Sequence, residues 1–404
     1  MPAQVEKTTT LIFTGKGGVG KTTVAAATAV KLADQGQRTL IISTDPAHSL
    51  GDCLQAPLGP DPAEISPRLD AMELDTRKEM LRRFASIREV LMKQMAKQGV
   101  TNAIGEELVN FPGSDELFGL LKLADLKKSG RYDAIVMDTA PTGNTLRFLH
   151  FPEFLAPVRR ALSIDRTYTR TMRPLLTLLG RDVPKDDFFT STFSLLKTIE
   201  DARTEFLGED TYFRLVLVPE KLAVVETQRA VSFLNVSGYT VDSVIANKVL
   251  PADMTEPLFR NWVGLHQAYL AETRRSFYPL RISELPLYDS EVLGLPLLRK
   301  VADALYEEID PLRRMTDDDL FRLDTEDGGV VMRVQLPVPE GASLDLYKEG
   351  NLLTIELDGY ERRLHCPEML ADQEVLGAQM AGNVLSIRFG SRPPQGETRS
   401  GAPE

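Results

Sequence analysis

Cysteine, histidine and tryptophan are scarce in this sequence of 404 residues, which has two cysteines, four histidines and one tryptophan. Cys53 and Cys366 lie far apart in the chain, and no two cysteines form a C-x-x-C pair. A disulfide framework and a cysteine-bound zinc ion are therefore not expected. Such sparse cysteine is typical of a protein in a reducing compartment.

The sequence also lacks long apolar runs, since no stretch approaches the roughly 18 residues that a membrane span needs. No charged region followed by an apolar one precedes the first apolar segment, so we expect no secretory signal. These two absences predict a cytoplasmic location. They limit any membrane role to peripheral contact with the bilayer or with a membrane receptor.

An excess of positive charge is absent as well, because 47 Lys and Arg face 58 Asp and Glu, for a net charge of −11. Binding to nucleic acid by counterion release needs a basic face, so we expect no nucleic-acid partner. The 43% of hydrophobic and 26% of charged residues are typical of a globular protein. The length suggests two or three domains of roughly 150 residues each.

A glycine-rich loop near the start is the strongest motif in the chain. It follows the β-prone run 10–14 and leads into a good helix-forming segment, 24–33. Gly15, four residues, then Gly20-Lys21-Thr22 satisfies the P-loop pattern, in which backbone N–H groups and a helix N-terminus cradle phosphates. The predicted nucleotide-binding residues of the loop are Gly15, Lys16, Gly17, Gly18, Val19, Gly20, Lys21, Thr22 and Thr23. The alternative is a glycine-rich turn with a chance lysine.

Within this loop, two side chains have predicted roles in ATP chemistry. Lys21 is expected to hold the β and γ phosphates, and the Thr22 hydroxyl to ligate Mg²⁺. ATP and Mg²⁺ are accordingly the predicted cofactors.

Two carboxylates follow apolar strands and are predicted to join this site. Asp45 ends the strand 38–44, where it would orient the water that attacks the γ-phosphate; the alternative is that it only caps the following turn. Asp138 ends the apolar run 132–137, as the aspartate of a Walker B site does, and is expected to hold Mg²⁺ directly or through a water.

Four segments together resemble the family of arsenite-efflux ATPases and tail-anchored-protein-targeting (guided entry) ATPases: residues 16–23, 43–49, 112–116 and 138–147. The segments occur in the family's order, and the resemblance covers roughly residues 7 to 310. It implies an α/β fold: a P-loop NTPase with a mostly parallel, doubly wound sheet and a helical insertion.

The resemblance also implies roles for single residues. Lys16 matches the extra lysine of the deviant Walker A motif, whose members dimerise face to face on ATP, so that this lysine reaches the nucleotide of the other subunit. A solvated loop lysine is the alternative. Asp45 matches the water-activating aspartate of switch I, and residues 138–143 match switch II. The resemblance assigns Lys16, Lys21 and Asp45 to catalysis.

On the base side, Asn247 matches the asparagine that reads adenine. Pro286 and Leu287 match the loop that packs on the adenine ring. Without the family, the segment 285–287 would be interpreted as a plain turn.

Three features depart from the family pattern. The chain has no C-x-x-C pair, so its homodimer is expected to close without zinc. It has no cysteine cluster, which speaks against a site for arsenite or antimonite. Asn144 stands where many targeting members have histidine after switch II.

Two largely helical stretches, 76–130 and 144–208, carry apolar residues at helical spacing. The alternative for any such stripe is ordinary core packing. The resemblance implies instead a groove across the dimer for a client's hydrophobic helix. The candidate client-binding residues are Met80, Phe84, Ile87, Leu91, Met92, Met95, Phe154, Val158, Phe189 and Phe193.

The pattern changes after the ATPase part, which we assign to residues 1–315. An acidic linker is predicted for 316–327, and short strands with turn signals over 328–390 predict a small β-sandwich. This part resembles the α-crystallin domain of small heat-shock proteins, with residues 378–387 similar to its Gly-x-Leu strand. The tail, 391–404, is predicted to be disordered. A binding module and a stabilising appendage are the two interpretations of the sandwich.

The sequence thus predicts a homodimeric, Mg²⁺-dependent ATPase that couples ATP binding and hydrolysis to capture and release of hydrophobic client helices, in membrane-protein targeting or as a chaperone. One alternative is the energising ATPase of a metalloid efflux pump. Another is an ATP-regulated holdase that acts through the α-crystallin-like domain.

Overall fold

The structure is a computed structural model, and it shows a large α/β unit followed by two small antiparallel sheets. The residues that it describes are 8–45, 49–74, 114–139, 197, 201–202, 204–254, 257–277, 279–316, 321–326, 329–335, 343–350, 352–357, 360–365, 370, 373–382 and 384–390.

The α/β unit is built on an eight-stranded sheet with the order β3-β4-β2-β5-β1-β6-β7-β8. All neighbouring strands are parallel except β3 and β4. The strands are β1 (Thr9–Thr14), β2 (Thr39–Ser43), β3 (Ala63–Ser66), β4 (Leu69–Glu73), β5 (Ala134–Asp138), β6 (Thr211–Leu217), β7 (Val241–Val249) and β8 (Arg281–Pro286).

Helices cover both faces of this sheet, as continuous apolar strands require. Those described are α1 (Lys21–Asp34), α2 (Ser49–Leu54), α3 (Ser114–Lys128), α4 (Lys221–Val236), α5 (Pro257–Ser276) and α6 (Gly294–Tyr306). Phe13 of β1 packs in one core cluster with residues of α1, α2 and α6. Its neighbour Ile12 belongs to the opposite cluster, with residues of α3, α4 and α5.

Strand register places three strand ends side by side. Asp138, the last residue of β5, lies opposite Phe13 on one neighbour and Ser43 on the other. The loop that follows β1 therefore lies next to the carboxyl ends of β2 and β5, the edge where parallel sheets bind ligands.

One fully buried guanidinium ties several elements together behind this edge. Arg214 on β6 forms an ion pair with Asp242 on β7, with 3.0 Å between Nη2 and Oδ2. Its Nη1 donates to the Tyr306 hydroxyl of α6 at 3.1 Å, and its Nη2 donates to the carbonyl of Pro311 at 2.7 Å. The Tyr306 hydroxyl lies 2.7 Å from Oγ1 of Thr28 on α1. The helix that follows the P-loop is thus linked by hydrogen bonds to the segment that leaves the α/β unit.

The outer face of α5 is partly apolar. Phe259, Trp262 and Leu265 are between 39% and 50% exposed. The Trp262 ring meets the His266 imidazole edge-on, with 6.4 Å between ring centroids.

The remaining strands form two antiparallel sheets, ordered β14-β15-β10-β9 and β11-β12-β13. They share one apolar core, to which Ile387, Phe389, Leu353 and Ile355 contribute. The strands are β9 (Phe321–Glu326), β10 (Gly329–Gln335), β11 (Leu344–Glu349), β12 (Leu352–Leu357), β13 (Tyr360–His365), β14 (Glu374–Ala381) and β15 (Val384–Gly390). The predicted fold class, a P-loop-type α/β sheet followed by a small β-sandwich, is confirmed.

The structure corrects the sequence prediction in two places. Part of the predicted linker is strand β9, which pairs antiparallel with β10. The acidic side chains of β9 are accommodated there because Arg333 of β10 forms ion pairs with both Asp324 and Glu326. Residues 378–387 form two strands joined by a tight turn at Gly382 instead of a single strand, since a positive φ at this glycine reverses the chain.

All ten candidate client-binding residues fall outside the described residues, as do 46–48, 112–113 and 140–147 of the family segments. Within the part of the chain that the structure describes, no helix has the length and apolar character needed to cross a membrane.

Candidate functional site

The glycine loop between β1 and α1 is shaped by backbone conformations that only glycine adopts easily. Gly18 and Gly20 have φ values of +80° and +92°. A Cβ on Gly15 would lie 2.1 Å from the carbonyl oxygen of Val216, the backbone of β6. A Cβ on Gly20 would lie 2.3 Å from Nδ2 of Asn247. The pattern of glycines in the motif is therefore required by the close approach of β6 and β7 as well as by the turn.

Gly20 precedes the first turn of α1, and among the described residues no side chain caps that turn. The first N–H groups of a helix have no partner within the helix. Together with the helix dipole they make this end of α1 suited to an anion such as phosphate.

Lys21 brings a buried positive charge to the same place. Its side chain is only 5% exposed, and Nζ donates to the carbonyl oxygen of Lys16 at 3.2 Å. Burial lowers the pKa of Lys21, while the nearby carboxylates of Asp138 and Asp45 oppose that shift. The ammonium group thus gains from any further negative charge that enters the loop.

Asp138 is the acidic counterpart, and it is fully buried. Its Oδ2 accepts hydrogen bonds from Thr22 Oγ1 at 2.7 Å and from Ser43 Oγ at 3.2 Å. Oδ1 has no hydrogen-bond partner among the described residues. Burial raises the pKa of Asp138 to about 6, against the lowering effects of the Thr22 hydrogen bond and the Lys21 charge.

These oxygens fit Mg²⁺. A buried carboxylate oxygen without a partner is costly unless a cation or a water satisfies it. Hydroxyl and carboxylate oxygens are the ligand type that Mg²⁺ prefers. Thr22 can keep donating its proton to Asp138 while a lone pair of its oxygen faces an ion.

Asp45 lies two residues beyond β2, half-buried, with its N–H donating to Ser43 Oγ at 3.3 Å. Its charge contributes to the pKa shifts of both Lys21 and Asp138, so the three predicted side chains share one electrostatic environment. The structure thus brings together Lys21, Thr22, Asp45 and Asp138.

Lys16 is placed differently. Its ammonium lies 3.9 Å from the carboxylate of Glu226 on α4, and the side chains are 36% and 43% exposed. The lysine is therefore accessible at the mouth of the loop, with an acidic neighbour that the sequence analysis did not single out.

Asn247 is the predicted base-reading residue, and it lies against the loop. Its Nδ2 donates to the carbonyl oxygen of Val19 at 2.8 Å, and its Oδ1 accepts from the N–H of Lys248 at 2.9 Å. Pro286 is the last residue of the next strand, β8, and Leu287 comes directly after it. Leu287 is 45% exposed, and its N–H donates to the carbonyl of Val249.

Besides Glu226, three residues of this site were not predicted from the sequence. Ser43 and Ser49 lie within hydrogen-bond distance of Asp138 and Thr22, respectively. Lys248 donates from Nζ to the carbonyl of Gly18 at 2.9 Å. The position of Lys248 directly after Asn247 was the one local signal that could have indicated it.

Two family profiles match the chain. The family described as "Anion-transporting ATPase" matches residues 8–307, and the one described as "HSP20-like domain found in ArsA" matches residues 327–389. The first contains every nucleotide-site residue discussed above.

Some curated relatives match nearly the whole chain, and others match about three quarters of it. The chain is 34% identical to a "Putative arsenical pump-driving ATPase" from Chlorobaculum tepidum, over 94% of this chain and 95% of that protein. It is 32% identical to "ATPase get3" from Pyrenophora tritici-repentis, over 76% and 94%. With an "ATPase ASNA1 homolog" from Dictyostelium discoideum it shares 30% identity over 76% and 92%.

Proposed function

The chain belongs to the anion-transporting ATPase family and is an ATP hydrolase, and from this premise we propose a Mg²⁺-dependent, homodimeric ATPase that captures and releases hydrophobic helices of client proteins. The proposal places the protein in the cytoplasm. The catalytic part and the client part rest on different observations.

The contact between Thr22 and Asp138 carries the catalytic part. It joins the P-loop to the end of β5 at 2.7 Å and leaves one buried carboxylate oxygen for an ion. Thr22 and Asp138 would hold Mg²⁺, which neutralises phosphate charge when it is bound. Lys21 would bind the β and γ phosphates from the other side.

Hydrolysis then needs a positioned water. Asp45 accepts a hydrogen bond from that water and aligns it with the γ-phosphorus. A bond forms from the water oxygen to phosphorus and the bond from phosphorus to the bridging oxygen breaks. ADP leaves with the electron pair of that bond, and the protons of the water remain on the oxygens of the released phosphate. Positioning and charge stabilisation supply most of the catalysis in such transfers.

The homodimer is proposed from Lys16. The Lys16 side chain is 36% exposed, and the ion pair that it forms within the described part of the chain is a long one to Glu226, so the ammonium can turn towards the nucleotide of a second subunit. Sedimentation of the Asp45→Asn variant, with and without ATP, tests this part. Dimer formation or tightening on ATP that is lost with Lys16→Ala supports it, and a concentration-independent monomer in both states contradicts it.

The client part is supported by the family resemblance and by the similarity to the get3 and ASNA1 proteins. The candidate residues lie in 76–130 and 144–208, and the second stretch begins directly after switch II. Such an arrangement would let the nucleotide state open or close an apolar groove.

Affinity purification of Asp45→Asn with ATP and Mg²⁺, followed by mass spectrometry, tests the client part. This variant is expected to bind ATP and hydrolyse it very slowly. Lys21→Ala, which should not hold ATP, is the negative control, and Asp52→Asn, an exposed change on α2, is the matched charge control. Enrichment of proteins with single hydrophobic helices supports targeting. Enrichment of unfolded soluble proteins, or of nothing, contradicts it.

A second candidate, the energising ATPase of a metalloid efflux pump, is favoured by the similarity to the arsenical pump-driving ATPase of Chlorobaculum tepidum. Soft metalloids need thiolates, usually several together. Cys53 is buried, and burial raises the pKa of its thiol to about 11, so it stays protonated at neutral pH. Arsenite-stimulated hydrolysis would support this candidate, and an unchanged rate would exclude it.

A further inference from the structure

Two consecutive residues near the end of β7 form side-chain hydrogen bonds to the backbone of the P-loop. Asn247 donates to the carbonyl oxygen of Val19 at 2.8 Å, and Lys248 donates to that of Gly18 at 2.9 Å. Residues separated by more than 200 positions in the chain thus bind neighbouring peptide groups of the loop.

The geometry of the peptide bond means that these contacts also orient the N–H groups of Val19 and Gly20. A trans peptide is planar, so its C=O and N–H point in opposite directions. Turning the carbonyl of Gly18 towards Lys248 turns the N–H of Val19 away from β7. Turning the carbonyl of Val19 towards Asn247 does the same for the N–H of Gly20. The N–H groups of Val19 and Gly20 therefore point away from the two side chains that bind the carbonyl oxygens, and neither carbonyl oxygen is left without a donor.

The backbone at Lys248 supports the idea that this placement is specific. Its φ is +55°, a left-handed conformation that costs energy for a residue with a Cβ and that glycine or asparagine adopts readily. Strain of this kind persists where the surrounding structure requires it, often at functional sites. The side chain that leaves this backbone position reaches the loop, where its Nζ binds the carbonyl of Gly18.

We propose that Lys248 and Asn247 are positioning residues for phosphate binding, which set the orientation of two P-loop peptides so that their N–H groups face the nucleotide. This inference rests on the proposed nucleotide site. It assigns to Lys248 a role in phosphate affinity that does not depend on the base.

Three substitutions at Lys248 distinguish the contribution of the ammonium group from the effect of the left-handed backbone conformation. Lys248→Met keeps the stem and removes the charge. Lys248→Asn also removes the charge but suits the left-handed conformation. Lys248→Arg keeps a donor that can reach a carbonyl oxygen. Titration with ATP and with GTP, each with Mg²⁺, gives the dissociation constants, and thermal unfolding without nucleotide reports on the fold.

The contact between Lys248 and Gly18 is exposed to solvent, so we expect Lys248→Met and Lys248→Asn to weaken ATP binding by about two- to fivefold, the scale of one exposed charged contact. GTP binding should weaken by the same factor, because the effect lies at the phosphates. Lys248→Arg should recover most of the affinity, and melting temperatures should change little.

ATP binding by Lys248→Met at the wild-type level would overturn the inference, and so would full affinity in Lys248→Asn, which would make backbone strain the cause. A loss for ATP alone would also overturn it, since that would assign the lysine to base recognition. Failure of the wild-type chain to bind ATP would instead contradict the proposed function.

Discussion

At the scale of single residues, the site contains groups that can bind ligands but that lower the stability of the ligand-free protein. Asp138 is the clearest case, since it is a buried carboxylate whose Oδ1 has no hydrogen-bond partner in the part of the chain that the structure describes, and its pKa is raised from its usual 3.8 to about 6. A shift of this size corresponds to roughly 3 kcal/mol of unfavourable free energy when the group is ionised.

We predict that Asp138→Asn abolishes Mg²⁺-dependent hydrolysis and raises the melting temperature of the metal-free protein by about 2–4 °C. An amide removes the buried charge but cannot serve as the anionic ligand. Thermal unfolding in EDTA and a phosphate-release assay measure the two effects. Asp61→Asn, an exposed change between α2 and β3, should alter neither. A destabilised Asp138→Asn would contradict this interpretation.

The same residue predicts a pH dependence. Because the folded-state pKa of Asp138 lies above its unfolded value, the folded protein binds this proton more tightly. The contribution to stability is present below pH 3.8 and is lost as pH rises to about 6. The difference in unfolding free energy between Asp138→Asn and wild type, measured without metal, should therefore grow over this interval. An unchanging difference would show that the carboxyl titrates normally.

Alanine substitutions at two glycines of the loop distinguish backbone strain from a steric clash, because both glycines have a positive φ but only one lacks space for a Cβ. An alanine at Gly18 meets no atom within 4 Å and suffers only the left-handed φ, whereas one at Gly20 also meets Asn247 Nδ2 at 2.3 Å. The strain alone costs about 1–2 kcal/mol. A substituted loop that relaxes when empty must take up this strain again to bind ATP, so Gly18→Ala should weaken ATP binding about tenfold and Gly20→Ala considerably more. Gly36→Ala has a similar φ at the end of α1 and open space, so it should affect stability but not ATP affinity. Equal affinities for the two loop variants would exclude the clash.

At the scale of elements, the link between α1 and α6 combines an internal contact with a surface ion pair. Inside, Tyr306 joins Thr28 to Arg214. Outside, Arg299 pairs with Asp34 at 2.7 Å, with both side chains more than 40% exposed. Buried groups deprived of a partner cost far more than exposed ion pairs.

We predict that Tyr306→Phe lowers the unfolding free energy by about 1–3 kcal/mol, because it removes the hydroxyl that bridges Thr28 and Arg214. Arg299→Ala, which breaks the surface pair between the same helices, should cost less than about 0.5 kcal/mol. Urea unfolding of both variants measures the difference. Similar values for the two would mean that the buried hydroxyl contributes little.

At the scale of the whole molecule, the segment with which the chain leaves the α/β unit is hydrogen-bonded to the central sheet through Thr316. Thr316 Oγ1 donates to the carbonyl of Asp242 at 2.6 Å and accepts from the N–H of Arg281 at 3.2 Å. Strand β9 follows a few residues later and belongs to the sandwich by its pairing with β10. A division of the chain at residue 328 would separate these two strands.

We therefore predict that a chain truncated after residue 316 aggregates less than one truncated after residue 327. The longer version keeps β9 without its partner and exposes an unpaired strand edge, which favours aggregation. Light scattering and size-exclusion chromatography at equal concentrations test this. Equal behaviour of the two chains would show that β9 is harmless without β10.

The sequence predicted those parts of the molecule that depend on local pattern. Apolar strands ending in Asp45 or Asp138, and the glycines before Lys21, follow rules that need only neighbouring residues, and the structure brings them together. The pairing of Lys248 with Gly18, or of Lys16 with Glu226, depends on which strands and helices become neighbours. No periodicity records such contacts, and the acidic strand β9 was misinterpreted because its charges are compensated by a cross-strand arginine.

The half-exposed indole on α5 has a practical consequence. It is the chain's one tryptophan, so intrinsic fluorescence excited at the indole band comes from a single place. The imidazole beside it has its pKa lowered by burial, so proton-induced quenching should begin only in more acidic solution than for an ordinary histidine. The protein thus carries an optical reporter of its own: a macromolecule that covers this face of α5 would shift the emission to shorter wavelength, without any added label.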